Sequence, residues 1–328
     1  MDKTYKDYAY SIVSYYEEVV DYVQKNKKFK LIKLPKINKA KFNSKIREND
    51  ESKIRFSEFI NMFDYVIRRN FPEEVLNNYY DNISDFGIYC TLFQFGKDEK
   101  YAGRYDILGN IINIDISNER LLGSIYHELF HLASTNRFQS ERLATGFKSY
   151  QFGRTIGEKL NEGYTDLLAN RYFENVGATI GYPIVMKYVS ALEQVVGKEK
   201  MEAYYLTANP GALVNDLSVY DSIENIMFFI NSLDYIHDLK GNHDDNEIRL
   251  KNVSTILIQW YVKKMVINGE NLLDPFVKNK IRAYAWQLPS AVENLKDLKE
   301  VYYVDINQII EEVIEEELKI NKEEHRTL

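Results

Sequence analysis

The segment RLLGSIYHELFHLAS (120–134) places two histidines four residues apart, with a glutamate directly after the first. On a helix, His127 and His131 project from one face, one turn apart, close enough to hold one metal ion. Glu128 is rotated by about 100° around the same helix, so its carboxylate can reach a water on that metal. This HExxH spacing predicts a zinc site with His127 and His131 as ligands and Glu128 as the general base and acid.

A catalytic zinc site needs a third protein ligand, and the segment KLNEGYTDLLANRYF (159–173) supplies it. Glu162 is the predicted ligand, and Asp166 lies one turn further along the same helical face. A carboxylate in that position can accept the outer N–H of a ligand histidine, which fixes its tautomer and raises its basicity. The sequence therefore predicts one Zn²⁺ per chain, held by His127, His131 and Glu162.

The two segments together resemble the gluzincin metallopeptidases, the thermolysin-like group. The family pattern is HExxH on one helix and NExx(S/T)D on the next, and this chain has HELFH at 127–131 and NEGYTD at 161–166. The resemblance covers roughly residues 100–175. It implies hydrolysis of peptide bonds, a zincin catalytic core, the ligand and base roles given above, and Asp166 as the partner of a ligand histidine.

The resemblance also implies a strand before the zinc helix, whose exposed edge binds an extended peptide by strand addition. The segment GNIINIDIS (109–117) occupies that place, so Asn113 and Ile114 are candidate substrate-binding residues. The spacing from His131 to Glu162 is longer than in thermolysin, and we therefore expect a loop or an extra turn over about 136–153.

Members of this family also need a donor that stabilises the oxyanion of the tetrahedral intermediate, supplied by a Tyr, His or Arg further along the chain. His237, well downstream of Glu162, is our candidate. Two alternatives stay open. One of the 26 tyrosines can serve instead, and His237 can equally be a surface histidine beside Asp234 and Asp238.

The residue patterns around these side chains predict an α+β fold that is predominantly helical. Ile, Tyr, Phe and Thr in short runs predict a small antiparallel sheet within 87–117, beside the zinc helix. Apolar residues at helical spacing predict the zinc helix over 118–135 and the helix that carries Glu162 over 154–175. We thus expect a thermolysin-like zincin core with helical flanks.

Three regions are expected along the chain. A helical N-terminal region covers 1–85 and contains a basic connector at 25–47, which has ten basic residues and no acidic one. The zincin-like catalytic domain covers 86–240, and a helical C-terminal region covers 245–328. The basic connector is best interpreted as a solvated segment, because it contains only one arginine for bidentate phosphate contacts. No nucleic-acid partner is expected.

Composition excludes several other classes of protein. The one cysteine, Cys90, rules out an internal disulfide framework and a cysteine-based zinc module. The apolar runs are too short to span a bilayer, and the acidic, tyrosine-rich start of the sequence does not resemble a signal peptide. We therefore expect a cytoplasmic protein with no membrane span.

Two functions stand foremost at this stage, and a third, less favoured one is a regulator that binds nucleic acid through the basic connector. The first is a zinc peptidase acting on a peptide or protein substrate, with the cleavage specificity and the oligomeric state undetermined. The second is a non-catalytic zinc-binding scaffold that recognises a partner through a peptidase-like core. Glu128 favours the first, because a purely structural zinc site has no use for a carboxylate beside the metal and is closed by a fourth protein ligand.

Overall fold

The computed structural model of the chain describes residues 56–89, 93–96, 102–115, 124–137, 144–151, 154–174, 180–236, 243–289 and 305–327. The predicted basic connector at 25–47, Cys90 and His237 lie outside these residues. None of the helices in the described part of the chain has both the length and the apolar composition needed to cross a bilayer.

The described residues are predominantly helical, as the sequence predicts, and carry two small sheets. The helices are α1 (Phe56–Asn70), α2 (Asn77–Tyr89), α3 (Ser124–Ala133), α4 (Glu158–Phe173), α5 (Pro183–Val196), α6 (Lys198–Leu206), α7 (Pro210–Leu217), α8 (Ile223–Ile236), α9 (His243–Ile267), α10 (Pro275–Ala285) and α11 (Ile306–Thr327). The histidine pair lies on α3, and Glu162 and Asp166 lie on α4.

The first sheet has three strands in the order β1-β3-β2, where β1 is Phe93–Gly96, β2 is Gly103–Asp106 and β3 is Ile111–Asp115. The predicted antiparallel pairing is confirmed for β2 and β3. It is wrong for β1, which pairs parallel with β3. The tight turn after β2 commits one side of β3 to an antiparallel hairpin, so β1 takes the other side. The predicted strand region also begins too early, because α2 continues to Tyr89.

The described residues of the segment where a loop or an extra turn was expected form a second sheet. Its strands are β4 (Thr135–Asn136), β5 (Ala144–Thr145), β6 (Lys148–Gln151) and β7 (Arg154–Ile156), in that order, with β4–β5 and β5–β6 antiparallel. The predicted start of the next helix at 154 is therefore wrong. Gly157 has φ 75°, a left-handed conformation that glycine adopts readily, and it separates β7 from the first residue of α4.

The chain divides into two compact units. One comprises the described residues up to Tyr150 together with Thr165–Gly181 and Ala203–Asn209. The other comprises Gln151–Tyr164, Tyr182–Glu202 and the described residues from Pro210 onward. The boundary falls inside the continuous helix α4, so that helix contributes residues to both units. The three regions predicted from the sequence remain a prediction.

Each unit has its own apolar core. In the first, an aromatic cluster surrounds Phe173, which stacks on Tyr126 with ring centroids 4.2 Å apart and on Phe63 at 5.5 Å. In the second, α9 packs against α5, α8, α10 and α11. Trp260 of α9 is fully buried there, with its ring centroid 4.9 Å from that of Phe229. Both cores contain large buried aromatic side chains among aliphatic ones, and each aromatic ring buries a large apolar area.

Candidate metal centre

Helix α3 is held in place by burial on every side. All ten of its residues are buried, including the two histidines and Glu128. Phe130 packs edge-on against Phe63 with centroids 5.0 Å apart, and Tyr126 stacks on Phe173. Apolar side chains on several faces leave this helix little freedom to rotate or slide, so its polar groups are presented in fixed directions.

The C-terminal end of α3 is tied by a side chain from α2. The Asn82 amide Nδ2 donates to the carbonyl oxygens of Leu132, at 2.8 Å, and Thr135, at 2.7 Å. Asn82 is completely buried, so these bonds form away from water. The first bond satisfies a carbonyl group in the last turn of α3, and the second ties down the strand residue that follows, so together they fix the end of the helix that carries the second histidine.

The two histidine rings converge. The Nε2 atoms of His127 and His131 are 2.9 Å apart, and neither side chain is more than 7% exposed. On the other side of the His127 ring, Nδ1 lies 2.8 Å from Oδ1 of Asp166, whose carboxylate is fully buried. With Asp166 accepting the Nδ1–H, the Nε2 lone pair of His127 points toward His131. This is the arrangement by which a buried carboxylate orients a metal-binding imidazole.

Glu162 completes a three-residue cluster with the histidines. One ligand atom each from His127, His131 and Glu162 lie within 4.8 Å of one another. Two imidazole nitrogens sharing a tetrahedral ion at ordinary bond lengths are about 3.3 Å apart, so the observed 2.9 Å requires only a small separation on binding. Glu162 is half-buried, unlike the two histidines. This cluster, found within the described residues, can therefore hold a metal ion.

The residues around Glu162 fix α4 by close and specific contacts. A Cβ at Gly163 would lie 2.7 Å from Cγ1 and 3.0 Å from the carbonyl carbon of Val185, so only glycine permits this approach to α5. Tyr164 donates a buried hydrogen bond of 2.8 Å to Glu193. Within NEGYTD, Gly163 and Tyr164 thus contact α5, while the carboxylates of Glu162 and Asp166 face the histidines.

A carboxylate from α8 binds the start of α4. Asp234 Oδ2 accepts from the backbone N–H of Gly157 at 3.0 Å, and its Oδ1 accepts from that of Lys159 at 2.8 Å. Burial raises the pKa of Asp234, although these two hydrogen bonds act in the opposite direction. From the sequence, Asp234 was considered only as a neighbour of His237. The one sequence signal for the role of Asp234 is Gly157. This glycine precedes the helix and has no side chain to cap it, so the cap has to come from elsewhere in the chain.

Glu128 lies against the first sheet. It is 6% exposed, and a Cβ at Gly103, the first residue of β2, would lie 2.9 Å from its Cγ and 3.0 Å from its Oε1. The bare backbone of Gly103 therefore makes room for the Glu128 side chain. Gly103 was not predicted as part of the site, because a glycine at the start of a short strand has many possible explanations.

The prediction that Asn113 and Ile114 offer a free strand edge is wrong. Both lie on β3, which is the central strand of its sheet. Asn113 is opposite Gln94 of β1 and Arg104 of β2, so neighbours occupy both sides of the strand at this position. Among the described strands, the edge that contacts Glu128 is β2.

His237, the candidate oxyanion donor, follows the last residue of α8 and lies outside the described residues. The structure therefore brings together His127, His131, Glu162 and Asp166 and places Glu128 on the same helix as the histidines. The chain as a whole matches no family model, no curated protein and no solved structure, so an assignment of function has to rest on this site.

Proposed function

We propose that this protein is a zinc-dependent peptidase of the gluzincin type. The observation that carries the proposal is the convergence of His127, His131 and Glu162 within 4.8 Å, with Asp166 on the outer nitrogen of His127. Two imidazoles and one carboxylate are a ligand set of catalytic zinc sites, which keep a further position open. A structural site would be closed by a fourth protein ligand, and only these three groups form the cluster among the described residues.

The proposed reaction is the hydrolysis of a peptide bond. When bound by the three ligands, Zn²⁺ would polarise the substrate carbonyl and lower the pKa of a water to about 7. Glu128 accepts a proton from the attacking water, whose oxygen bonds to the carbonyl carbon. The C–N bond then breaks, and Glu128 delivers the proton to the leaving nitrogen. Asp166 holds His127 in the required tautomer throughout.

We propose His237 as the donor to the oxyanion. It follows Asp234 by three residues, and the Asp234 carboxylate binds the backbone at Lys159, three residues before Glu162. The chain around Asp234 is therefore anchored close in space to the turn of α4 that carries the third ligand. A tyrosine remains the competing donor.

The substrate would bind as an extended peptide along the outer edge of β2. This replaces the expectation from the sequence that it binds along β3. Among the strands that the structure describes, β2 is the sheet edge that contacts Glu128, and its first residue, Gly103, has no side chain between the backbone and that carboxylate. A peptide strand added at this edge would be held by main-chain hydrogen bonds, which recognise the extended backbone of the substrate and not a particular sequence.

Two measurements on the purified chain test the proposal. They are metal analysis and cleavage of a peptide library, the latter with and without a chelator. We expect one zinc per chain and cleavage that the chelator abolishes and added zinc restores. Glu128→Gln should keep the zinc and lower turnover by at least about 100-fold, because the proton acceptor is lost. Glu174→Gln, an exposed glutamate just beyond α4, serves as the control.

Cleavage by Glu128→Gln at the wild-type rate would contradict the mechanism. A protein that binds zinc without any cleavage would favour the scaffold alternative.

A further inference from the structure

The helix that carries the third ligand depends on a cap from a distant part of the chain. Its first residue, Glu158, follows Gly157, which has no side chain able to accept a hydrogen bond from the first turn. The first N–H groups of a helix have no partner within the helix and need an acceptor. Asp234, on α8, supplies both of its carboxylate oxygens to this turn, at 3.0 and 2.8 Å.

The two bonds join one carboxylate to the residues on either side of Glu158 in the sequence. The Gly157 N–H belongs to the residue before α4, and the Lys159 N–H belongs to the second residue of the helix. Glu162 comes three residues after Lys159, one helical turn further on. The Asp234 carboxylate also carries a negative charge at the positive end of the helix dipole, which is a favourable placement.

The contacts on the far side of Glu162 do not replace this cap. Gly163 and Tyr164 bind α5, and they fix α4 from the ligand onward. Asp234 binds the turn before the ligand through two backbone N–H groups. If that turn frays, the backbone of Glu162 loses its support on one side, and its carboxylate samples positions away from the histidines.

We propose that Asp234 is a positioning residue for the metal ligand Glu162. It touches neither the metal nor the substrate, and it acts by ordering the turn from which Glu162 projects. The inference rests on the proposed function, because it assigns Asp234 a role in zinc binding and not only in folding. It places a determinant of the site far from the ligand in the sequence, on a helix that contributes no metal ligand among the described residues.

The chain contains a matched control for this role. Asp274 caps α10, where its Oδ1 accepts from the backbone N–H of Phe276 at 2.8 Å. Both aspartates therefore stabilise the first turn of a helix, but α10 carries no residue of the metal cluster. Loss of either cap should lower thermal stability, and only the loss of Asp234 should weaken zinc binding.

The test measures zinc affinity by competition with a chromophoric chelator for full-length wild type, Asp234→Ala, Asp234→Asn and Asp274→Ala. We expect zinc to bind about tenfold more weakly to Asp234→Ala, as for other residues that support metal ligands indirectly. Asp234→Asn keeps one oxygen acceptor and should be intermediate, and Asp274→Ala should match the wild type. Hydrogen exchange of the metal-free proteins over residues 157–162 should be fastest in Asp234→Ala, intermediate in Asp234→Asn and unchanged in Asp274→Ala.

Wild-type zinc affinity in Asp234→Ala, with faster exchange over the same residues, would overturn the inference while leaving the proposed function standing. Equal weakening by Asp274→Ala would also overturn it, because the effect would then follow from general stability. A wild-type protein that binds no zinc at all would instead refute the proposed function, and with it the role of Asp234. The wild-type titration therefore separates the two failures.

Discussion

The two helices that carry the metal cluster are held by different forces. Helix α3 is buried along its whole length among apolar and aromatic side chains. Helix α4 is fixed by individual contacts: the Asp234 carboxylate at its start, the close approach of Gly163 to Val185, and the hydrogen bond from Tyr164 to Glu193. The histidines thus stand on a helix that is buried along its whole length, whereas the helix of Glu162 adds polar and steric contacts around the ligand to the apolar burial of residues such as Phe173.

This difference determines what a substitution should do. Non-directional burial tolerates the loss of one polar side chain, so a histidine on α3 can be removed with little effect on the helix itself. Specific contacts depend on their partners, so α4 should respond to changes at residues distant in the sequence. Four substitutions test this contrast, in order of decreasing effect.

The largest effect should come from His131→Ala. It removes a direct metal ligand, and zinc affinity should fall by at least about 1,000-fold because two remaining protein ligands do not make a zinc site. The far-ultraviolet circular dichroism should stay unchanged, since apolar packing holds α3. His243→Ala, at the first residue of α9, is the control. Unfolding of His131→Ala would contradict the claim that apolar packing holds α3 in place.

Asp166→Asn should weaken zinc binding by about 10- to 100-fold, the range seen for partners of ligand histidines. Its carboxylate lies 2.8 Å from His127 Nδ1 and is fully buried, so the charge that supports the imidazole is lost while the shape is kept. Competition titration of the purified variant measures the effect. Zinc affinity equal to that of the wild type would show that His127 does not depend on this carboxylate.

Gly163→Ala should lower the free energy of unfolding by about 2 kcal/mol, because the added methyl group meets the Val185 side chain and backbone. Gly181→Ala is the matched control, since its added Cβ would meet only Asp166 Oδ2, at 3.9 Å. Urea denaturation of both variants measures the difference. Equal stability of the two variants would show that close packing against α5 does not hold α4.

The last effect concerns burial around α3, and it is absent at neutral pH and appears only at high pH. Desolvation raises the pKa of Tyr126 to about 12 from its usual 10.0. The neutral phenol is therefore favoured in the folded state, and its contribution to stability is fully present below pH 10 and is lost as the pH rises toward 12. Between these values the wild type should lose about 2 kcal/mol more than Tyr126→Phe. Parallel pH profiles for the two proteins would contradict the burial argument.

Local patterns in the sequence were enough to predict the cluster. Helical periodicity predicts that His127 and His131 share one face of their helix and that Glu162 and Asp166 share one face of theirs. That the two helices meet, so that Glu162 joins the histidines and Asp166 approaches His127, was implied by the resemblance to the gluzincin pattern. The predominance of helix was predictable from helical periodicity.

The features that were predicted wrongly or missed depend on contacts distant in the sequence. Strand order decides whether Asn113 lies at an edge, and no pattern within β3 reveals that β1 and β2 occupy both of its sides. The start of α4 was set too early because a strand and a left-handed glycine precede it. Asp234 was not recognised as a cap because its partners, Gly157 and Lys159, lie on a much earlier part of the chain.

The central claim is that three side chains bind one zinc ion and leave a position open for solvent. A crystal structure of the zinc-loaded protein, with anomalous data collected on both sides of the zinc edge, tests it most directly. We predict one anomalous peak about 2.0–2.2 Å from His127 Nε2, from a His131 ring nitrogen and from a Glu162 oxygen, with a water as the remaining ligand. A peak elsewhere, or a fourth protein ligand in place of the water, would contradict a catalytic zinc site.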